Sequence, residues 1–256
     1  MHLLKEKLSH LSASSLYFFR NIFGFIILIL YAIVGIYINI VKINPIVYNS
    51  LCVILLLILA ISYWFAINLD KIIVTLLVEK IAIRKYEAYW QKNIGSAFGS
   101  KASAFHALGV THFYRGYFEE SLSYFEKSKH SRFQTKKARQ RLESHKKQFI
   151  LQDKLFLAIA TNETNDVVDN IDTLIGDSPY LKAVSDIIYY QKENSFFESY
   201  QPTTKLARLM SDFYKAKNYQ LRNEMDKAKN IFEMLSNENP ELFIVQEARK
   251  NLKNSH

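Results

Sequence analysis

NIFGFIILILYAIVGIYINIV (residues 21–41) and IVYNSLCVILLLILAISYWFAINL (46–69) are two apolar runs without a charged residue. Lys42, Ile43, Asn44 and Pro45 separate them. At about 1.5 Å rise per residue, roughly 20 helical residues cross a hydrocarbon core about 30 Å thick. Each run is long enough, and the break is short enough for a hairpin. The spacing predicts an all-α protein built on a two-helix transmembrane hairpin (21–41 and 46–69). Residues 1–20 carry Lys5 and Lys7 before the first run, as a signal peptide would. The run is too long for one and no small-residue cleavage site follows, so an uncleaved anchor is expected.

Positive residues near the ends orient the hairpin. Lys5, Lys7 and Arg20 precede it, Lys71, Lys80, Arg84 and Lys85 follow it, and the turn holds only Lys42. Both termini are therefore expected in the cytoplasm, with the protein integral to the membrane. Tyr17, Phe18 and Phe19, then Tyr37 and Tyr48, then Tyr63 and Trp64 fall where interfacial aromatic belts belong. The runs contain no Asp, Glu, Lys, Arg or His. Transport pathways and proton relays use such groups, so a self-contained transporter or pump is not expected. Gly24 and Gly35 do not form a GxxxG pair.

The remaining chain is poor in turn residues. Seven glycines and four prolines in 256 residues argue for helices over an all-β fold. Cys52 is the only cysteine, so neither an intrachain disulfide nor a thiolate cluster can form. The net charge of +9 hides a polarity. Residues 126–147 hold nine Lys/Arg against two Glu, and residues 161–200 hold eight Asp/Glu against two Lys.

Residues 70–100 are expected to form a juxtamembrane helix and a linker. Lys71, Thr75, Glu79, Lys80, Arg84, Glu87 and Gln91 recur every three or four residues and leave a broad apolar face. A helix over 70–92 could lie on the membrane surface or pack on the soluble part; the pattern fits both. Gly95, Gly99, Ser96, Ser100 and Ser103 mark the clearest linker. Helices are expected at 132–148, 151–161, 166–175, 180–198 and from 203 onward.

Residues 101–130 read KASAFHALGVTHFYRGYFEESLSYFEKSKH. Phe105, Leu108 and Gly109, then Gly116, Phe118, Ser121, Phe125 and Ser128 stand at the large, small and aromatic positions of a tetratricopeptide repeat, which this stretch resembles. His112 departs from the aromatic preference, and Phe133 stands where the closing proline would be. A second similar stretch spans 209–242, with Ala216, Tyr219, Ala228, Phe232 and Pro240 in register; Asp212 and Lys215 depart from it. Each such unit is a helix–turn–helix of about 34 residues that cannot bury its apolar face alone. Leu157–Ala158 and Leu181/Ala183 could be degenerate sites of intervening units. Residues 241–254 read as a polar-faced capping helix.

The resemblance implies a TPR-like helical repeat domain over 101–256, binding a protein partner in a concave groove. Its groove positions would be His106, Val110, Phe113, Tyr114, Phe213, Lys217 and Gln220. The competing reading makes these aromatics core. The basic stretch offers Arg132, Lys136, Lys137, Arg139 and Arg141 for contact with anionic lipid. The same residues could equally be a solvated face or one paired to the acidic region. Nucleic acid is not expected, for no recognised binding motif accompanies them.

No metal or cofactor is expected: His106 and His112 do not share a helical face, and HExxH, GxSxG, GxxxxGK[ST] and GxGxxG are all missing. Asp166, Asp169 and Asp172 read as a solvated acidic face near a helix start. The chain is thus expected to be no enzyme but a membrane-anchored helical-repeat adaptor. The alternative is an accessory subunit of a membrane transport, secretion or immunity complex that acts through its hairpin.

Overall fold

A computed structural model describes residues 10–40, 45–95, 101–128, 136–161 and 175–254. The residues in α-helix among these form α1 (Ala13–Ile40), α2 (Pro45–Val78), α3 (Ile83–Ile94), α4 (Lys101–Arg115), α5 (Phe118–Lys127), α6 (Lys136–Thr161), α7 (Pro179–Ile188), α8 (Phe196–Ser199), α9 (Lys205–Leu221), α10 (Met225–Ser236) and α11 (Phe243–Lys253). The fold is all-α, with no strand among the described residues.

α1 and α2, of 28 and 34 residues, pack against each other. Their burial changes abruptly along their length. Leu16 in α1 and Leu69, Ile72, Ile73, Leu76 and Leu77 in α2 are buried in the common core. Beyond them, large apolar side chains face outward: Phe25, Ile33 and Ile36, and Val53, Leu56, Leu57 and Ile61, are all more than half exposed. The Arg20–Asp70 ion pair (3.4 Å) sits at this change, and Arg20 Nη1 donates to Asn93 Oδ1 of α3 at 2.6 Å. Among the described residues no helix is long and apolar enough to cross a membrane, so they do not by themselves support the spanning role expected for 21–41 and 46–69. The side chains at 23–24, 27–28, 38–40, 62–63 and 65–68 lie outside the described set, as does the 42–44 break.

The expected helix over 70–92 is two helices. α2 runs on to Val78, and the chain turns at Ile81, whose φ of 53° puts a branched side chain in the left-handed region. Ile81 tolerates this because its side chain is buried and Asn239 Nδ2 donates to its carbonyl at 2.8 Å. α3 then lays Ile83, Tyr86, Tyr89 and Trp90 onto α1 and α4. Of the two readings of this segment, packing on the soluble part is the one observed.

The α4–α5 and α9–α10 hairpins share one turn. Gly116 (φ 82°) and Asn223 (φ 58°) both end a helix in the left-handed region. Each donates its N–H to the carbonyl three residues back (Phe113, Gln220), and the next residue donates five back (His112, Tyr219). This bonding satisfies carbonyls left open at a helix C-terminus. At Gly116 a Cβ would lie 2.9 Å from Phe243 Cβ, so only glycine fits. In register with these turns, Gly109 meets the ring of Phe125, where a Cβ would approach to 2.8 Å. Ala216, Ala228 and Phe232 occupy the same places in the second hairpin and are buried.

Three expected helices have other limits. The described part of the expected 132–148 helix, from Lys136, and the expected 151–161 helix are one helix, α6, because no glycine or proline interrupts it. The expected 180–198 helix stops at Ile188: Gln191 takes φ 51° and its side-chain amide donates to the Ile187 and Ile188 carbonyls. α7 starts with Pro179 behind a Ser178 cap, and α9 starts behind a Thr204 cap. Residues 166–174 of the expected 166–175 helix, Phe133 and residues 96–100 of the linker expected over 93–103 lie outside the described residues; the ends of that linker are helical, with Asn93 and Ile94 closing α3 and Lys101, Ala102 and Ser103 opening α4.

Successive helices pack from α3 round to α11, and α11 then reaches back to α9 and α4. Its Phe243 ring sits 5.0–5.9 Å from those of Phe113, Phe118, Phe156 and Phe213. Arg84–Glu241 and Lys205–Glu238 ion pairs tie the same closure at its edge. α11 therefore does more than cap an open end: its Phe243, Ile244, Val245 and Ala248 fill the inside of the curve.

Candidate functional site: a cleft beside the closing helix

A cleft of about 670 Å³ opens between α5, α6, α7, α9 and α11. Its floor is apolar, with Phe118, Phe156, Phe213, Phe243 and Ile187. Its rim carries charge of both signs, with Arg115, Lys217 and Lys250 against Glu119, Glu120 and Glu247. Arg115 is held by Glu87 at 2.7 Å and Lys250 by Glu247 at 2.6 Å. Lys217 lies deeper. Its Nζ donates to Asn251 Oδ1 at 3.4 Å and sits 5.9 Å from the centres of the Phe213 and Phe232 rings. Burial lowers its pKa from the usual lysine value, against the opposite pull of Glu247. Gln220 Nε2 donates to the same Asn251 oxygen at 3.0 Å. Such a wall can hold an apolar anchor below and match charges above.

The seven groove positions named from sequence fall in three places. Phe213, Lys217 and Gln220 line the cleft. Phe113 and Tyr114 line a second, smaller cavity on the other side of α4. Val110 and His106 are core residues, and Phe113 itself is 1% exposed. For His106, Val110 and Phe113 the side chain is spent on packing: aromatic rings at helical spacing face the neighbouring helix before they face a groove.

His106 Nε2 and His145 Nδ1 lie 3.0 Å apart, linking α4 to α6. Burial, the neighbouring His145 and Lys146 push His106 down to about 3, and burial lowers His145 as well. His106 Nδ1 has no hydrogen-bond partner among the described residues. Ser121 Oγ donates to Asp153 Oδ2 at 2.7 Å, while Asp153 Oδ1 is buried without a hydrogen-bond partner among the described residues. Burial pushes this carboxyl up to about 8, with Ser121 pulling the other way. Among the described residues no group of three or more His, Cys, Asp and Glu could hold a metal ion.

Of the basic positions named for lipid contact, Lys136, Arg139 and Arg141 are exposed at the start of α6. Arg132, the side chain of Lys137 and the acidic series Asp166, Asp169 and Asp172 lie outside the described residues. Sequence reading missed Phe156, Ile187 and Phe243 on the cleft floor, which come from helices without a repeat pattern. Only the apolar side of residues 243–248 hinted at one of them. In comparisons with known proteins, no family model matches the chain, and neither a curated protein nor a solved structure matches it.

Proposed function

We infer that this chain is a membrane-anchored helical adaptor, in which α1 and α2 insert as a hairpin and the cleft beside α11 binds a segment of a protein partner. The observation that carries this reading is the exposure of the hairpin. Leu56 and Ile61 are each 64% exposed, and their neighbours on both helices are similarly bare. Patches of this kind in water mark a surface that something else covers. From the Arg20–Asp70 pair to the far end, α1 offers about 20 residues and α2 about 25, which at about 1.5 Å each reach across a hydrocarbon core. Hydropathy over the described residues alone falls short of this; the run of uncharged sequence from 21 to 41 and from 46 to 69 supplies the rest of the argument. The resemblance to tetratricopeptide repeats is supported by the shared turn at Gly116 and Asn223 and by the Gly109–Phe125 contact. The role is one of recognition, without catalysis, on the cytoplasmic face.

Two experiments test the reading. The protein is expected to stay with membranes in alkaline carbonate, and a cysteine replacing Asn44 to react with an impermeant maleimide in intact cells. Release by carbonate removes the anchor; labelling only after permeabilisation inverts the topology. For the cleft, a photo-crosslinking residue in place of Gln246 is expected to capture a protein that a second change, Ile159→Asp, abolishes. Capture unaffected by Ile159→Asp would rule out the cleft. Replacing residues 21–69 with an unrelated two-helix anchor separates this reading from one in which the hairpin itself makes the contacts.

A further inference from the structure

The second cavity, of about 320 Å³, lies among α4, α6, α7 and α9. Its polar lining comes from Tyr114, Tyr180, Tyr200, Gln148, Gln152 and His145. Phe149 and Met210 supply apolar wall. Among the described residues, no Lys, Arg, Asp or Glu lines it. Gln152 is 4% exposed, and its amide orientation is set by two hydrogen bonds. Tyr214 donates its hydroxyl to Gln152 Oε1 at 2.8 Å, and Gln152 Nε2 donates to the Gln148 carbonyl at 3.1 Å. A primary amide has two N–H donors and two carbonyl lone pairs. Among the described residues, one N–H and one lone pair of Gln152 therefore remain beyond these two bonds, on a side chain that lines the cavity.

The charge state of the lining narrows the ligand. Burial raises the pKa of Tyr114 and Tyr180, with neighbouring tyrosines adding to it, so the phenols stay neutral. Burial lowers His145, so at neutral pH the imidazole is uncharged. An ion placed here would lose its water without a counter-charge, at a large cost. Aromatic walls favour a flat molecule, and hydroxyls and amides favour one with donors and acceptors along its edge. An amide that offers a donor and an acceptor together matches the edge of a nucleobase.

We propose that this cavity binds an uncharged planar heterocycle of nucleobase size, read by the amide of Gln152 and the hydroxyls around it. It is a site separate from the cleft, formed within one chain, and it does not depend on the partner reading. Three features place it there: the fixed amide, the missing charges and the aromatic wall.

The test is calorimetric titration of the purified full-length protein in detergent with adenine, guanine, cytosine and uracil. The flat ions benzoate and benzamidine serve as comparison. At least one base is expected to bind saturably, at least about tenfold more tightly than either ion, and Gln152→Leu to weaken it about tenfold, the size of one lost hydrogen bond. Tyr200→Phe, which removes one hydroxyl from a partly exposed residue and little packing, is expected to weaken it severalfold; it decides the matter if Gln152→Leu does not fold. The proposal is overturned if no base binds, if the ions bind as well as the bases, or if both variants bind like the parent.

Discussion

At the residue scale, the two buried titratable sites pull stability in opposite directions with pH. Asp153 has its pKa raised from the usual aspartate value to about 8, so the fold favours its neutral form. The unfolded chain ionises it from about pH 4 upward, and stability attributable to this group falls as pH rises from there to about 8. Asp153→Asn keeps an acceptor for Ser121 and carries no charge. It is expected to raise stability at pH 7 by up to about 4 kcal/mol and to flatten the alkaline side of the profile. Urea midpoints measured at pH 5, 7 and 8 would show it. His106 works the other way. Its folded pKa is lowered to about 3, so below the unfolded value of about 6.5 the unfolded chain takes up the proton first. Stability is expected to fall as pH drops from about 6.5 toward 3, and His106→Gln to reduce the slope of that loss. Because the two slopes oppose each other between pH 4.5 and 6.5, the test is made in the Asp153→Asn background, where a midpoint that does not move between pH 6.5 and 4.5 would contradict the buried neutral pair. Neither site was legible in the sequence as a titrating group. Asp153 looks like any helical aspartate until Ser121, 32 positions away, is packed on it.

At the element scale, α11 decides whether the helices form an open curve or a closed body. The sequence shows its amphipathic face plainly, and an outer cap is the simplest use for it. What the chain does instead follows from Phe243. Four phenylalanines from α4, α5, α6 and α9 surround its ring, and Gly116 lacks the Cβ that would collide with it. Phe243→Ala is expected to cost about 3–5 kcal/mol, the usual range for emptying a buried aromatic site. Thermal unfolding followed by circular dichroism measures it. A loss below about 1 kcal/mol would mean that α11 is peripheral. The α2–α3 and α7–α8 breaks belong to the same scale. Ile81 and Gln191 are not turn-forming residues by type, and their left-handed backbones are stabilised by contacts from elsewhere in the chain or by the side chain's own hydrogen bonds. Composition carries no trace of such support, so continuous helices were the natural expectation there.

At the scale of the whole molecule, the exposed hairpin is joined to the closed helical body through one core that includes Leu16, Leu69, Ile73 and Trp90. The hairpin and the helical body are therefore mechanically continuous, with α2 running unbroken through residue 70. If the hairpin lies in the bilayer, a charge on it has to enter hydrocarbon. Leu56→Lys is expected to cost about 3 kcal/mol of insertion, close to the value for a lysine at mid-span. A glycosylation-tagged insertion assay on residues 21–69 reads this directly. Equal insertion of the parent and the variant would place residue 56 outside the hydrocarbon.

Sequence by itself determined the helical class, the two uncharged apolar runs, and the register of the two repeat-like hairpins. Each of these is written in local order: run length, period, and glycine or alanine where helices meet. Tertiary structure alone decided which apolar faces became core and which became cavity. His106, Val110 and Phe113 could have faced a groove or a neighbour; all three are buried, with α6 against His106 and α6 and α11 against Phe113. The cleft and the tyrosine-lined cavity exist only because helices distant in sequence, from α4 to α11, close around them. Period marks which side of a helix is apolar; only the arrival of other helices says what covers it.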